Sequence, residues 1–189
     1  MKSYYILAIN PGSTSTKIGI FKNTKMLLSE NIPHSVSELS KFSSIMDQRE
    51  FRSEIVLDFL NNCDFTTSKL DAIVGRGGML TPMRSGTYIV NEEMISFLMN
   101  NLLEHASSLG AILADKIAES TGVKAYIVDP VVVDEMDDIA KITGIPEIKK
   151  ISIFHALNQK AAAREAAKRI KKNIMNVFSS LHISVEVLL

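Results

Sequence analysis

The chain has 189 residues, enough at roughly 150 residues per domain for one domain and the start of a second. Lysine plus arginine total 21 and aspartate plus glutamate total 21, a zero net charge that argues against binding nucleic acid by phosphate neutralisation. Hydrophobic residues make up 46% and charged residues 22%, globular values, and the single Cys63 excludes an internal disulfide framework or a multi-cysteine zinc site.

From the amino terminus, Tyr4 to Ile9 is an apolar run closed by Asn10-Pro11-Gly12. It reads as a buried strand rather than a signal peptide, because no small-residue cleavage site follows it. With no uncharged run long enough to span a bilayer and one cysteine, the expected setting is the cytoplasm, without membrane or nucleic-acid partners. Thr16 to Phe21 and Met26 to Ile32 are predicted as the next strands. Links this short force antiparallel pairing, since a parallel crossover needs a dozen or more residues. The period then changes to that of a helix over Ile45 to Leu60, with Phe51, Ile55, Leu57, Phe59 and Leu60 as its apolar positions.

Asp71 to Val74 is a short strand before Gly75. Asn91 caps a helix predicted to run to Leu103, with Glu92 and Glu93 in the turn that the helix dipole favours for acids. Leu109 to Ser120 is a further helix, stopped at Gly122. Ala125 to Val128 is a buried strand closed by Asp129-Pro130, and Ser152 to Lys172 is a long alanine-rich helix. The order β-β-β-α-β-α-α-β predicts an α/β fold with a mixed sheet and flanking helices. Met175 to Phe178 and Ile183 to Leu189 read as strand-like pieces.

Chemistry concentrates at the ends of these elements. Asn10 to Lys17 (Asn-Pro-Gly-Ser-Thr-Ser-Thr-Lys) joins two strands, and its hydroxyls, amides and Lys17 can donate to phosphate oxygens. Asn10 can also hold a hydrated Mg²⁺ through its carbonyl. The loop lacks the P-loop spacing and equally reads as a polar hairpin. Gly75-Arg76-Gly77-Gly78 ends a strand; its glycines permit a close backbone approach, and the Arg76 guanidinium suits bidentate recognition of a carboxylate or phosphate. His105 and His155 stand beside helices, where a histidine caps, packs or faces a cleft, and none lies at metal-ligand spacing. Asp129 and Asp134 flank a valine run as strand end and helix cap. Lys160, Arg164, Lys168, Arg169, Lys171 and Lys172 read as a solvated helix face.

Five segments, ILAINPGSTSTKIGIF, AIVGRGGML, HASSLGAILA, AYIVDPVVVDEM and SIFHALNQKAAAR, together resemble the amino-terminal part of butyrate kinases. These lie in the acetate/butyrate kinase family of the sugar kinase–Hsp70–actin superfamily. The resemblance implies a ribonuclease-H-like (actin-like ATPase) domain over residues 1–150 and the start of a second lobe over 151–189. It implies ATP and Mg²⁺ as cofactors and a short-chain carboxylate, butyrate or a related short or branched fatty acid, as the phosphoryl acceptor. The products are then an acyl phosphate and ADP, and the full-length family suggests a homo-oligomer.

By position, the resemblance puts Asn10 on the Mg²⁺ or phosphate side and Ser13, Ser15 and Lys17 in the phosphate loop. Arg76 corresponds to the arginine that holds the substrate carboxylate, and His105 and His155 to active-site histidines, the second near the transferring phosphoryl group. Asp129 corresponds to the catalytic-site aspartate. The family continues into a glycine-rich phosphate loop and a second domain, where Asn176 to Val185 stand here without the glycines. The expectation is therefore a truncated or frameshifted kinase, and the alternative to an active enzyme is a non-catalytic half-kinase, inactive alone or associating with another chain.

Overall fold

The computed structural model describes residues 2–153 and 156–173. A mixed sheet of six strands in the order β3-β2-β1-β4-β6-β5 organises them. β1 (Tyr5–Pro11), β2 (Ser15–Lys22) and β3 (Lys25–Pro33) form the predicted antiparallel meander, with Leu7 opposite Ile20 and Ile18 opposite Glu30. Asn23, at φ 53°, takes the left-handed position of the β2–β3 turn, a conformation asparagine tolerates. β3 is the sheet edge and is mostly exposed, with charges at Lys25 and Glu30 and Pro33 at its end, which discourage pairing with another chain.

A single helical turn, α1 (Val36–Leu39), is closed by a capping box between Ser35 and Glu38. α2 (Arg49–Asn62) leads to β4 (Ala72–Arg76), which lies parallel to β1. β5 (Thr87–Ile89) follows, a strand that the sequence pattern does not show because three residues carry no period. It pairs antiparallel with β6 and extends the sheet past the predicted set. α3 (Glu92–Met99) starts at the Asn91 cap as expected but stops short of Leu103. The Asn101 amide donates to the Met79 carbonyl at 2.7 Å and pins the exit, leaving Leu102 98% exposed. α4 (Leu109–Thr121) ends on Gly122 at φ 71°, the predicted stop, and β6 (Lys124–Val128) lies parallel to β4. α5 (Ala156–Arg169) is shorter than the predicted 152–172 helix, and its Lys160 pairs with Glu135. The strand-like segments 175–178 and 183–189 lie outside the described residues.

The two faces of the sheet differ. Leu7, Ile9, Ile18, Ile20, Ile73 and Ile127 are at most 1% exposed, packed in one cluster with Val56, Phe59 and Leu60 of α2 and Leu109, Leu113 and Ile117 of α4. Each such side chain contributes about 1.5–3 kcal/mol by leaving water. The alternate residues of the same strands, Ala8, Asn10, Lys17, Phe21, Val74, Arg76 and Val128, line an open concavity of about 420 Å³. No helix among the described residues is long and apolar enough to cross a membrane.

Candidate active site

β1, β4 and β6 run parallel, so their carboxyl ends lie side by side, where open α/β sheets place ligands. Ile9 pairs with Gly75 and Arg76 with Val128, which sets Asn10, Arg76 and Val128 side by side across three strands, with Asp129 one residue beyond at the end of β6. The antiparallel partner β2 adds Lys17, directly opposite Asn10. The Arg76 Nη1 donates to the Asn10 Oδ1 at 3.2 Å, so two side chains 66 positions apart meet at the centre of the row. Burial lowers the Arg76 guanidinium from its ordinary value; arginine starts so high that it stays cationic.

The glycines around Arg76 approach protein. A Cβ on Gly75 would stand 1.9 Å from the Gly110 carbonyl oxygen, one on Gly77 2.4 Å from Pro130, and one on Gly78 2.4 Å from the Ser108 Cα. The close approach predicted from these glycines is thus the seating of the first turn of α4, and of Pro130, against the end of β4. That contact fixes the backbone from which Arg76 projects.

His105 does not continue the preceding helix. It caps the short turn Ala106–Ser108, and its Nδ1 accepts from the Ser107 amide at 3.2 Å. Burial, and then the Arg76 charge, lower its pKa, so at neutral pH it is an uncharged imidazole whose proton sits on Nε2. Asp129 sits in the left-handed region at φ 44°, and its Oδ1 accepts from the Gly86 amide at 2.8 Å. Its other carboxylate oxygen has no hydrogen-bond partner among the described residues. Asp134, the other end of the valine run, forms an ion pair with Lys141 at 2.8 Å. Ser13 is exposed in the β1–β2 loop and Ser15 opens β2. His155 lies outside the described residues.

The loop has a support that sequence reasoning missed. Arg52 of α2, 0% exposed, reaches beneath it: Nη1 donates to the Gly12 carbonyl at 2.9 Å, the Ser15 carbonyl at 3.1 Å and the Thr16 hydroxyl at 3.1 Å. Gln48 accepts from Nε at 3.0 Å and from Nη2 at 2.8 Å. Thr16 in turn meets the buried His34 Nε2 at 2.8 Å. The available signal was Arg52 standing at the spacing of Val56, Phe59 and Leu60, on the apolar stripe of the helix.

For a metal, the carboxyl edge of the sheet offers one partly free carboxylate, Asp129, and an Asn10 oxygen that Arg76 already engages. No group of three or more acidic, histidine or cysteine side chains that could hold an ion occurs among the described residues. This set fits Mg²⁺ carried in on nucleotide phosphates and touching one carboxylate, the usual habit of that ion, and not a protein-built cage.

No family model matches the chain. The fold is that of the carboxylate kinases: acetate kinase from Porphyromonas gingivalis superposes with a TM-score of 0.60 at 13% identity, over 90% of this chain and 50% of that one. Within that class the sequence is similar to butyrate kinases. It is 53% identical over 171 residues to butyrate kinase 2 of Clostridium acetobutylicum, covering 90% of this chain and 48% of the relative. Butyrate kinase 1 of the same organism is 50% identical over 170 residues, again covering 48% of its length. The chain is homologous to the amino-terminal part of these enzymes and spans about half the length of the curated relatives it matches.

Proposed function

We propose that this chain supplies the carboxylate- and phosphate-binding lobe of a kinase that converts ATP and butyrate, or a related short or branched fatty acid, to an acyl phosphate and ADP. The observation that carries the reading is the 53% identity to a butyrate kinase over 171 residues, 90% of this chain. A carboxylate is ionised at pH 7 and needs no general base. Catalysis then consists of positioning and charge neutralisation around an in-line, loose transition state.

In this reading Arg76 turns from Asn10 to grip the acid through its two-pronged guanidinium, while the neutral His105 offers its Nε2–H to the charge that develops nearby. Lys17 and the exposed amides and hydroxyls of Ser13 to Ser15 face the phosphate oxygens. When bound, Mg²⁺ neutralises phosphate charge; Asp129 is the carboxylate to hold it, and Asn10 becomes available to a hydrated ion only where Arg76 releases its oxygen. His155 belongs to the same reading, near the transferring phosphoryl group. Residues 1–150 form the first lobe and 151–189 begin the second.

The test is a chimera in which the matched residues of this chain replace their counterparts in butyrate kinase 2, read by butyrate-dependent ADP release. The 189-residue polypeptide, which matches 48% of that relative, is assayed beside it and is expected to stay at background. A folded chimera without turnover would overturn the reading in favour of a non-catalytic half-kinase.

A further inference from the structure

The β1–β2 loop carries a feature that its own residues do not explain. Its peptide carbonyls at Gly12, Ser13 and Ser15 all point inward, to one buried guanidinium, the Ser13 contact being the longest at 3.4 Å. In a trans peptide the carbonyl of one residue and the amide of the next point in opposite directions, and the chain has no cis bond among its described residues. With the Gly12 and Ser13 carbonyls drawn inward, the Ser13 and Thr14 amides are turned outward. Both residues are exposed, and neither amide has a protein partner among the described residues.

Among the described residues the charge beneath them has no carboxylate partner. Every hydrogen-bond acceptor of Arg52 is neutral, and none of the ion pairs among the described residues includes it. A stable fold alone does not call for this: a buried cation costs several kcal/mol of hydration, and an apolar residue of similar volume is often as good. Burial pushes its pKa down to about 10, which leaves it charged at any physiological pH.

We infer that Arg52 is a positioning residue for phosphoryl oxygens: it shapes the β1–β2 loop so that the Ser13 and Thr14 amides face a bound phosphate, and it sets a fixed positive charge behind them. This rests on the carboxylate kinase reading above and adds to it a residue that never touches the ligand. Outward amides over a low-dielectric positive charge bind an anion without reorganisation, which is the electrostatic arrangement phosphoryl transfer exploits.

Gln48 separates the charge from the shape. Gln48→Glu keeps the acceptor oxygen that holds Nε and Nη2 and adds a negative charge beside the guanidinium, so the loop stays formed while the field behind it is cancelled. The experiment titrates inorganic phosphate into the 189-residue chain and follows the amide proton and nitrogen shifts of Ser13 and Thr14, with thermal unfolding measured for each variant. The parent should show saturable shifts at these two amides. Gln48→Glu should weaken phosphate binding by roughly tenfold with no loss of melting temperature. Arg52→Met should abolish the shifts, and Arg52→Lys should restore part of them by returning the charge without the fork. Binding within twofold of the parent in Gln48→Glu and in whichever Arg52 variants fold would overturn the role of Arg52 and leave the kinase reading standing. A parent whose Ser13 and Thr14 amides ignore phosphate would instead remove the phosphate role of the loop, and the inference with it.

Discussion

Two loops at the carboxyl edge of the sheet carry the candidate site, and they are held in opposite ways. The loop after β1 is shaped by a large side chain arriving from α2, which fills the space beneath it and gathers its carbonyls. The segment after β4 is shaped by side chains that are missing, so that Gly110, Ser108 and Pro130 lie against bare backbone. The first arrangement leaves amides turned outward over a positive charge, as an anion requires. The second leaves a stiff platform from which one guanidinium projects. The kinase proposed above would use both, because one substrate would be recognised by its phosphate oxygens and the other by its carboxylate.

The platform is where a single atom should do the most damage. Gly75→Ala places a Cβ 1.9 Å from a helix carbonyl, and backbone cannot swing aside as a side chain tip can. The expected cost is about 3 kcal/mol or more, a drop in melting temperature on the order of 10 °C for a chain of this size. Gly144→Ala is the control, since nothing lies within 4 Å of its Cβ, and it should change stability by less than about 0.5 kcal/mol. Equal melting temperatures for the two variants would show that α4 is not seated on β4 as described.

The contrast also explains what could be read from the sequence. Gly75-Arg76-Gly77-Gly78 announces itself because the absence of side chains is written locally, though what the glycines approach, the start of α4, is not. The meander, the Asn91 cap and the Gly122 stop were legible for the same reason: each rests on residues within a few positions of one another. Arg52 depends on carbonyls up to 40 positions away, and its one local mark is its place on the stripe of Val56, Phe59 and Leu60. The predicted apolar positions of that helix include Phe59 and Leu60, which are buried, and Phe51, Ile55 and Leu57, which are half-buried beside the stripe, while the rest of the buried stripe runs through Arg52, Ser53 and Val56. The arginine that sits on the true stripe is what misdirects the pattern.

Loss of the guanidinium from the platform should be chemical rather than structural. In the chimera, Arg76→Ala should lower kcat/KM for the fatty acid on the order of 10²-fold, the scale of one preorganised charged donor. The KM for ATP should hold, and Arg76→Lys should recover little because the bidentate fork is gone. Equal losses toward both substrates would move Arg76 out of the carboxylate role.

Asp129 combines the two strategies, since its backbone is strained and its side chain repairs the loop by accepting from Gly86. Asparagine tolerates the same left-handed conformation and keeps a carbonyl oxygen for that bond. Asp129→Asn should therefore leave stability within about 0.5 kcal/mol while cutting turnover about tenfold, the scale of one charged hydrogen bond. A large fall in melting temperature with turnover intact would make the carboxylate structural.

The smallest expected effect tests the support beneath the β1–β2 loop through pH. The Thr16 hydroxyl accepts from Arg52 and lies 2.8 Å from His34 Nε2, to which it donates when neutral His34 carries its proton on Nδ1. Protonating that nitrogen would set a hydrogen against the hydroxyl and a second cation beside Arg52. His34 is 6% exposed, and its pKa is lowered by burial first and by Arg52 second, with Glu38 pulling the other way. A folded pKa below the unfolded 6.5 means that the unfolded chain binds the extra proton first as pH falls. The contribution is complete above pH 6.5 and is lost as pH drops from there through the folded value. His105 titrates with the same sign, so the measurement is a difference: melting temperature against pH for the parent and for His34→Gln, which can accept from Thr16 but cannot titrate. Between pH 7 and 5 the parent should lose about 2–5 °C more than the variant. Parallel curves would mean that His34 accepts its proton without disturbing Thr16, and that the bond between them is not part of what holds the loop.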